Sequence, residues 1–183
     1  MNIIEPFDLA TQRRTLEGRI SVSTLSRLIQ SLSTADAEEI GRYYVDYVLD
    51  FGVDEGGAPC IIGTVQTVLP IECQRCMETM EFPLSLKIRL ALVKSQQAAQ
   101  QLPDNYDPLL ISQDEEISVE SIIEDELILA LPQVAMHEIK DCPKGESFLN
   151  TGDGAAENGL TSKRENPFAV LAQLKTSQSE NNG

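Results

Sequence analysis

The residues best equipped for chemistry sit in two short stretches, Cys73-Gln74-Arg75-Cys76 and the later pair His137 and Cys142. Two thiolates three positions apart in a turn can reach one tetrahedral ion at about 2.3 Å, which is half of a structural zinc site. His137 and Cys142 would complete a set of three cysteines and one histidine. Cys60 begins the extended run that ends near Cys73, so at about 3.3 Å per residue it lies roughly 30 Å or more away and is excluded. The competing reading leaves Cys73 and Cys76 as reduced, partly buried thiols and His137 as an ordinary surface residue. The cofactor expectation is therefore none, or one structural zinc ion. Four protein ligands would leave no open position for catalysis.

Other chemistries find little support. His137 is the only histidine, and neither a phosphate-binding Gly-x-x-x-x-Gly-Lys loop nor His-Glu-x-x-His occurs. The Cys-x-x-Cys lies in a hairpin and not at the start of a helix, so a lowered thiol pKa and redox work are not expected. The chain is read as a non-enzyme with no small-molecule substrate.

The elements that must position these residues follow from periodicity. Tyr43, Val45, Tyr47, Leu49, Phe51 and Val53 alternate with Asp46 and Asp50. Phe82, Leu84, Leu86, Ile88, Leu90 and Leu92 alternate with Glu81, Ser85, Lys87 and Arg89. Between them Ile61, Val65 and Leu69 alternate more loosely. Such alternation belongs to half-buried antiparallel strands. Asp54-Glu55-Gly56-Gly57 and the Cys-x-x-Cys turn separate the three runs and make a meander. Upstream, Val22, Leu25, Leu28, Ile29 and Leu32 recur at helical spacing, with Ser21 or Ser23 as N-cap. Residues 1–20 are ambiguous between a short helix and a strand. Downstream, 95–108 reads as a long polar, turn-rich loop. Val119, Ile122, Ile123, Leu127, Ala130 and Leu131 then mark one face of a helix capped by Ser118 and stopped by Pro132, with Glu120, Glu124 and Asp125 on the other. Ile117 before it supplies an additional short strand.

The fold expected is thus α+β: an antiparallel β-meander or partly closed barrel covered by an acidic amphipathic helix, with a flexible C-terminal tail. Three parts are assigned: 1–40 as an N-terminal helical segment packed on the sheet, 41–144 as the core with its Cys-x-x-Cys hairpin, and 145–183 as a flexible tether. The tether carries a short helix at Asn166-Pro167-Phe168-Ala169, whose Phe168, Leu171 and Leu174 share a side. That helix is too short to stand alone, so it docks on its own domain or on a partner.

Charge is unevenly spread. The chain of 183 residues has a formal net charge of −15, which disfavours nucleic-acid binding by electrostatics alone. Between Lys94 and Lys140 there is no Lys or Arg, whereas Arg13, Arg14, Arg19 and Arg27 gather in the first thirty residues. Two surfaces are read from this. Arg13, Arg14, Arg19, Arg27 and Arg75 form a candidate RNA-binding patch. Glu120, Glu124 and Asp125, with Asn166, Pro167, Phe168, Leu171 and Leu174, form a candidate surface for a basic partner. No apolar run is long enough to cross a bilayer and no secretory start is present, so the chain is read as cytoplasmic with no membrane partner.

Taken together, Pro6-Phe7-Asp8-Leu9, Glu72-Cys73-Gln74-Arg75-Cys76, the helix Glu124-Asp125-Glu126-Leu127-Ile128-Leu129-Ala130-Leu131-Pro132, the following His and Cys, and Asn166-Pro167-Phe168-Ala169-Val170-Leu171 give a specific pattern. In that order they resemble the bacterial large-ribosomal-RNA-subunit accumulation proteins, the YceD family, over almost the whole chain. The resemblance implies a non-enzymatic role in synthesis, processing or stability of large-subunit (23S) rRNA, hence ribosome biogenesis. The implied partners are large-subunit rRNA or its precursor. The alternative is an acidic module that holds a basic ribosomal protein or another assembly factor and affects rRNA only indirectly. Many members of that family carry a second Cys-x-x-Cys after the acidic helix. Here Gly145 stands where its last cysteine would be, so His137 would have to substitute.

Overall fold

The computed structural model describes residues 3–32 and 40–145. In chain order these form β1 (Ile3–Ile4), α1 (Pro6–Gln12), β2 (Thr15–Ser21), a 3-10 turn (Val22–Thr24), α2 (Ser26–Ser31), β3 (Tyr44–Val53), β4 (Pro59–Glu72), β5 (Thr79–Val93), α3 (Gln96–Ala99), β6 (Asp107–Leu110), β7 (Ile117–Ser118), α4 (Val119–Ala130) and a second 3-10 turn (Ile139–Asp141). The expected tether and Asn166-Pro167-Phe168 helix lie outside the described residues.

The alternating runs are the antiparallel strands β3, β4 and β5, in register as Val48 opposite Thr64 and Thr64 opposite Lys87. Val45, Tyr47, Leu49 and Phe51 are buried, whereas Tyr44, Asp46, Val48 and Asp50 face solvent, as the two-residue period requires. The first hairpin closes at Asp54, whose carboxylate accepts from Ala58 N at 2.7 Å, and Gly57 takes φ +85°. That left-handed conformation suits a residue without Cβ.

The sheet order is β2-β3-β4-β5-β6. Its two ends do not meet, so among the described residues the sheet is open and the partly closed barrel is not formed. Both added strands come from regions read otherwise. The stretch assigned as helical at 1–40 also contributes β2, paired antiparallel to β3 from Thr15–Asp50 to Ser21–Tyr44. The stretch read as loop contains α3, whose Ser95 hydroxyl accepts from Ala98 N, and the short β6, parallel to β5. Four residues including Pro108 are too few to display alternation, and an edge position tolerates a missing N–H. Ile117 does join a strand, β7, paired with β1.

One face of the sheet is the core. Val45, Leu49, Ile61, Val65, Leu69 and Ile88 meet Ala10 of α1, Leu28 of α2 and Val119, Ile123 and Leu127 of α4. Ser118 caps α4 by accepting from Ser121 N at 3.0 Å. The single helix expected from Val22 to Leu32 is interrupted at Leu25, which takes φ −95° and ψ 80°. The restart has a physical cause. Glu124 of α4 is buried, and its Oε1 accepts from Arg27 N at 2.7 Å and Leu28 N at 3.1 Å. A carboxylate from another helix thus satisfies the first free donors of α2, where the helix dipole also favours negative charge. No helix among the described residues is long and apolar enough to cross a membrane.

Candidate metal centre

The β4–β5 hairpin ends in a tight reversal. Cys73 N donates to Glu78 O at 2.9 Å and Met77 N to Cys73 O at 2.8 Å, while Met77 takes φ +65°. A non-glycine residue in that region costs on the order of 1–2 kcal/mol; here it aims Cys73 and Cys76 to one side.

The chain leaving α4 is fastened onto this turn. Gln74 N donates to Ala135 O at 2.8 Å, and the Gln74 side chain reaches Gln133 O at 3.3 Å. His137 then lies alongside, its backbone N 3.4 Å from Cys73 Sγ and its Nδ1 3.4 Å from Cys76 Sγ. The second 3-10 turn delivers Cys142. Cys73, Cys76 and Cys142 are buried and His137 is half-buried. Their four ligand atoms all lie within 4.8 Å of one another. A tetrahedron with about 2.3 Å metal–sulfur bonds has edges of about 3.8 Å, so a contraction of about 1 Å would complete it. The chemistry of the donor set, three thiols and one imidazole, fits zinc.

The electrostatics agree with a thiolate site. Burial pushes the Cys73 thiol up, but the N–H groups of Cys76, His137 and Arg75 and the thiol of Cys76 outweigh it, lowering the pKa to about 5. The expectation that a hairpin leaves its thiols at ordinary pKa is thus corrected: N–H groups converging in a tight turn do the work a helix N-terminus would. Cys76 moves the other way. Burial raises it, and the neighbouring Cys73 and Cys142 add to the rise against the Glu78 N–H. Three sulfurs packed this closely resist further ionisation until a cation arrives.

Gly145 fits this arrangement in a particular way. Its N donates to Cys142 O at 2.8 Å, and a Cβ added there would lie 2.0 Å from Ile139 O. The backbone therefore excludes a side chain where the resemblance places a fourth cysteine, and His137 stands on the cluster instead. Cys60 is remote, paired opposite Ala91.

The five arginines proposed for RNA are spread over three places. Arg13 and Arg14 are exposed at the start of β2, and Arg19 projects from its middle, bound to Asp46 at 2.7 and 2.8 Å. Arg27 faces α4, where its Nε meets Glu124 at 2.9 Å and its Nη1 meets Asp125 at 2.6 Å. Arg75 is half-buried in the cysteine turn; its Nη1 is buried without a hydrogen-bond partner and its Nη2 approaches Met136 Sδ at 3.6 Å. Of the carboxylates proposed for a partner, Glu124 is buried inside the molecule and Asp125 is engaged by Arg27, whereas Glu120 is partly accessible. Glu124 carried a readable signal, since it lies three residues before Leu127 on the edge of the apolar stripe. Asn166, Pro167, Phe168, Leu171 and Leu174 lie outside the described residues.

Comparison with known proteins adds a family. A family model described as large ribosomal RNA subunit accumulation protein YceD matches residues 61–175, which include all four candidate ligands. A curated relative from Haemophilus influenzae, named large ribosomal RNA subunit accumulation protein YceD, is 32% identical over 172 residues, covering 94% of each chain. No solved structure gives a significant match.

Proposed function

This chain belongs to the YceD family of large ribosomal RNA subunit accumulation proteins, and from that premise we propose that it is a cytoplasmic, non-enzymatic ribosome biogenesis factor supporting the synthesis, processing or stability of large-subunit rRNA. The observation that carries the reading is the match over 94% of both chains to a relative with that name. The fold supplies an α+β body, and its most chemically distinctive cluster, Cys73, Cys76, His137 and Cys142, has the composition of a structural centre. Zinc held there would cross-link the β4–β5 hairpin to the chain after α4, with His137 contributing Nδ1. The ion would supply fold, with no open coordination position for a reaction.

The second reading, an acidic module for a basic ribosomal protein, has less to stand on. Of its three helix carboxylates, Glu124 is spent on capping α2 and Asp125 on Arg27.

The test is accumulation of rRNA in cells lacking the chain. The ratio of large- to small-subunit rRNA should fall and be restored by the wild-type chain. An unchanged ratio, with precursors processed normally, would overturn the reading.

A further inference from the structure

The solvent side of the sheet, opposite the core, has a different character from the rest of this acidic chain. Across β2 to β5 its residues run in register: Arg19, Asp46, Gln66 and Ser85 in one row; Glu17, Val48, Thr64 and Lys87 in the next; Thr15, Asp50, Ile62 and Arg89 in a third. Three adjoining hollows of about 620, 530 and 210 Å³ follow these rows. Neighbours share lining residues, Arg19, Asp46 and Gln66 between the first two and Val48 and Thr64 between the second two, so they form one continuous shallow groove.

The groove concentrates cations. Arg19, Arg42, Lys87 and Arg89 line it against Glu17, Asp46 and Asp50, in a chain whose formal net charge is −15. Asp46 and Arg19 pair with each other, and Asp50 accepts from the Thr15 hydroxyl at 2.6 Å while keeping its charge, so Arg42, Lys87 and Arg89 stand against Glu17 and Asp50. Arg42, Lys87 and Arg89 are exposed and make no ion pair with a described residue. They sit at opposite ends, Arg42 with Arg19 at one and Lys87 with Arg89 at the other. At the Arg42 end Tyr44 is 48% exposed, with the Arg19 guanidinium 5.6 Å from its ring centroid. Gln66, Thr64 and Ser85 add neutral donors and acceptors to the floor.

We propose that this groove is a docking surface for single-stranded RNA. The cations at its two ends contact phosphates, and the Tyr44–Arg19 pair stacks an unpaired base. Aromatic rings and guanidinium planes both stack on bases, and cations spaced along a shallow groove follow a flexible polyanion. The proposal rests on the rRNA reading above and assigns that reading a contact surface. Of the five arginines singled out in the sequence it keeps Arg19, and Arg42, Lys87 and Arg89 stand in place of Arg13, Arg14, Arg27 and Arg75.

The experiment is fluorescence anisotropy of the full chain with a labelled mixed-sequence 12-nucleotide RNA, single-stranded and as a duplex, between 50 mM and 200 mM salt. The single strand should bind tighter than the duplex, with affinity falling as salt rises. Reversing Arg42→Glu, Lys87→Glu and Arg89→Glu together removes three phosphate contacts. It should flatten the log–log salt slope by about 2 and weaken binding roughly 100-fold. Tyr44→Ala should cost roughly 5- to 150-fold and Tyr44→Phe much less. A charge-matched control outside the described residues, Lys163→Glu with Arg164→Glu and Lys175→Glu, should bind as wild type. Unchanged thermal unfolding midpoints would establish that each variant is folded. Wild-type affinity in the triple variant, equal binding of duplex and single strand, no RNA binding by the wild type, or occupation of this face by a protein in place of RNA would each overturn the groove. The rRNA ratio in cells lacking the chain decides the broader reading separately: a normal ratio overturns that reading, whereas a lowered ratio with unaffected RNA binding by the triple variant overturns only the groove.

Discussion

Two polar clusters join distant parts of this chain, and they differ in whether the protein completes them. In the clasp between α2 and α4, Glu124 accepts from two backbone N–H groups and from Arg27, and Asp125 takes the other arm of the same guanidinium. Every charge there meets its opposite. In the cysteine cluster, three buried sulfurs and a half-buried imidazole gather with their ligand atoms within 4.8 Å of one another. Against the burial of its thiol, converging N–H groups lower the pKa of Cys73 to about 5. A polar cluster satisfied from within is explained by the fold; three thiols and an imidazole gathered at this spacing have the make-up of an ion site.

The difference predicts effects of very different size. Cys76→Ser should abolish metal uptake and loosen the junction between the β4–β5 hairpin and the chain after α4, the largest loss among these substitutions. Native mass spectrometry would read the lost ion, and limited proteolysis would read the loosened chain around residues 133–145. Because the sheet core is independent of the ion, circular dichroism should still show the strands.

Glu124→Ala should destabilise by about 1–3 kcal/mol in chemical denaturation, since it leaves the N–H groups of Arg27 and Leu28 uncapped and removes one of the two carboxylates on Arg27. Metal content should stay at the wild-type level, which separates the two clusters. Gly145→Ala should cost about 1–3 kcal/mol, because its Cβ would meet the Ile139 carbonyl and push Cys142 away from the cluster. Here zinc affinity should fall together with stability. Asp125→Ala is the smallest change. Its carboxylate is half exposed, so the loss should stay below about 1 kcal/mol and shrink further in high salt. Two adjacent acids on one arginine would thus differ through burial and through the two backbone N–H groups that Glu124 caps.

The same contrast explains what could be read in the sequence. The three long strands and α4 were legible because their signals are local: a two-residue alternation over ten or more positions, and a serine cap three residues before the N–H it binds. The start of α2 was not legible, since its cap comes from Glu124, 97 residues from Arg27. Nor were β2 and β6. In β2, Gly18 breaks the alternation where the Tyr47 side chain approaches it, with a Cβ there falling 2.8 Å from the hydroxyl. In β6, four residues are too few for a pattern. The cysteine–histidine cluster was legible because one histidine and one cysteine follow α4. The constraint at Gly145 was not, because it depends on the path of the Ile139 carbonyl. The solvent-facing cations Lys87 and Arg89 were visible in the alternation, but their alignment with Arg42 and Arg19 required the register of four strands.

The most direct measurement is the zinc content of the full chain, purified without added metal or chelator, by native mass spectrometry beside Cys76→Ser and His137→Ala. A completed cluster predicts one zinc ion per wild-type chain, none in Cys76→Ser and a weakened or absent ion in His137→Ala. A folded wild-type chain that carries no zinc and takes up none on titration would contradict it.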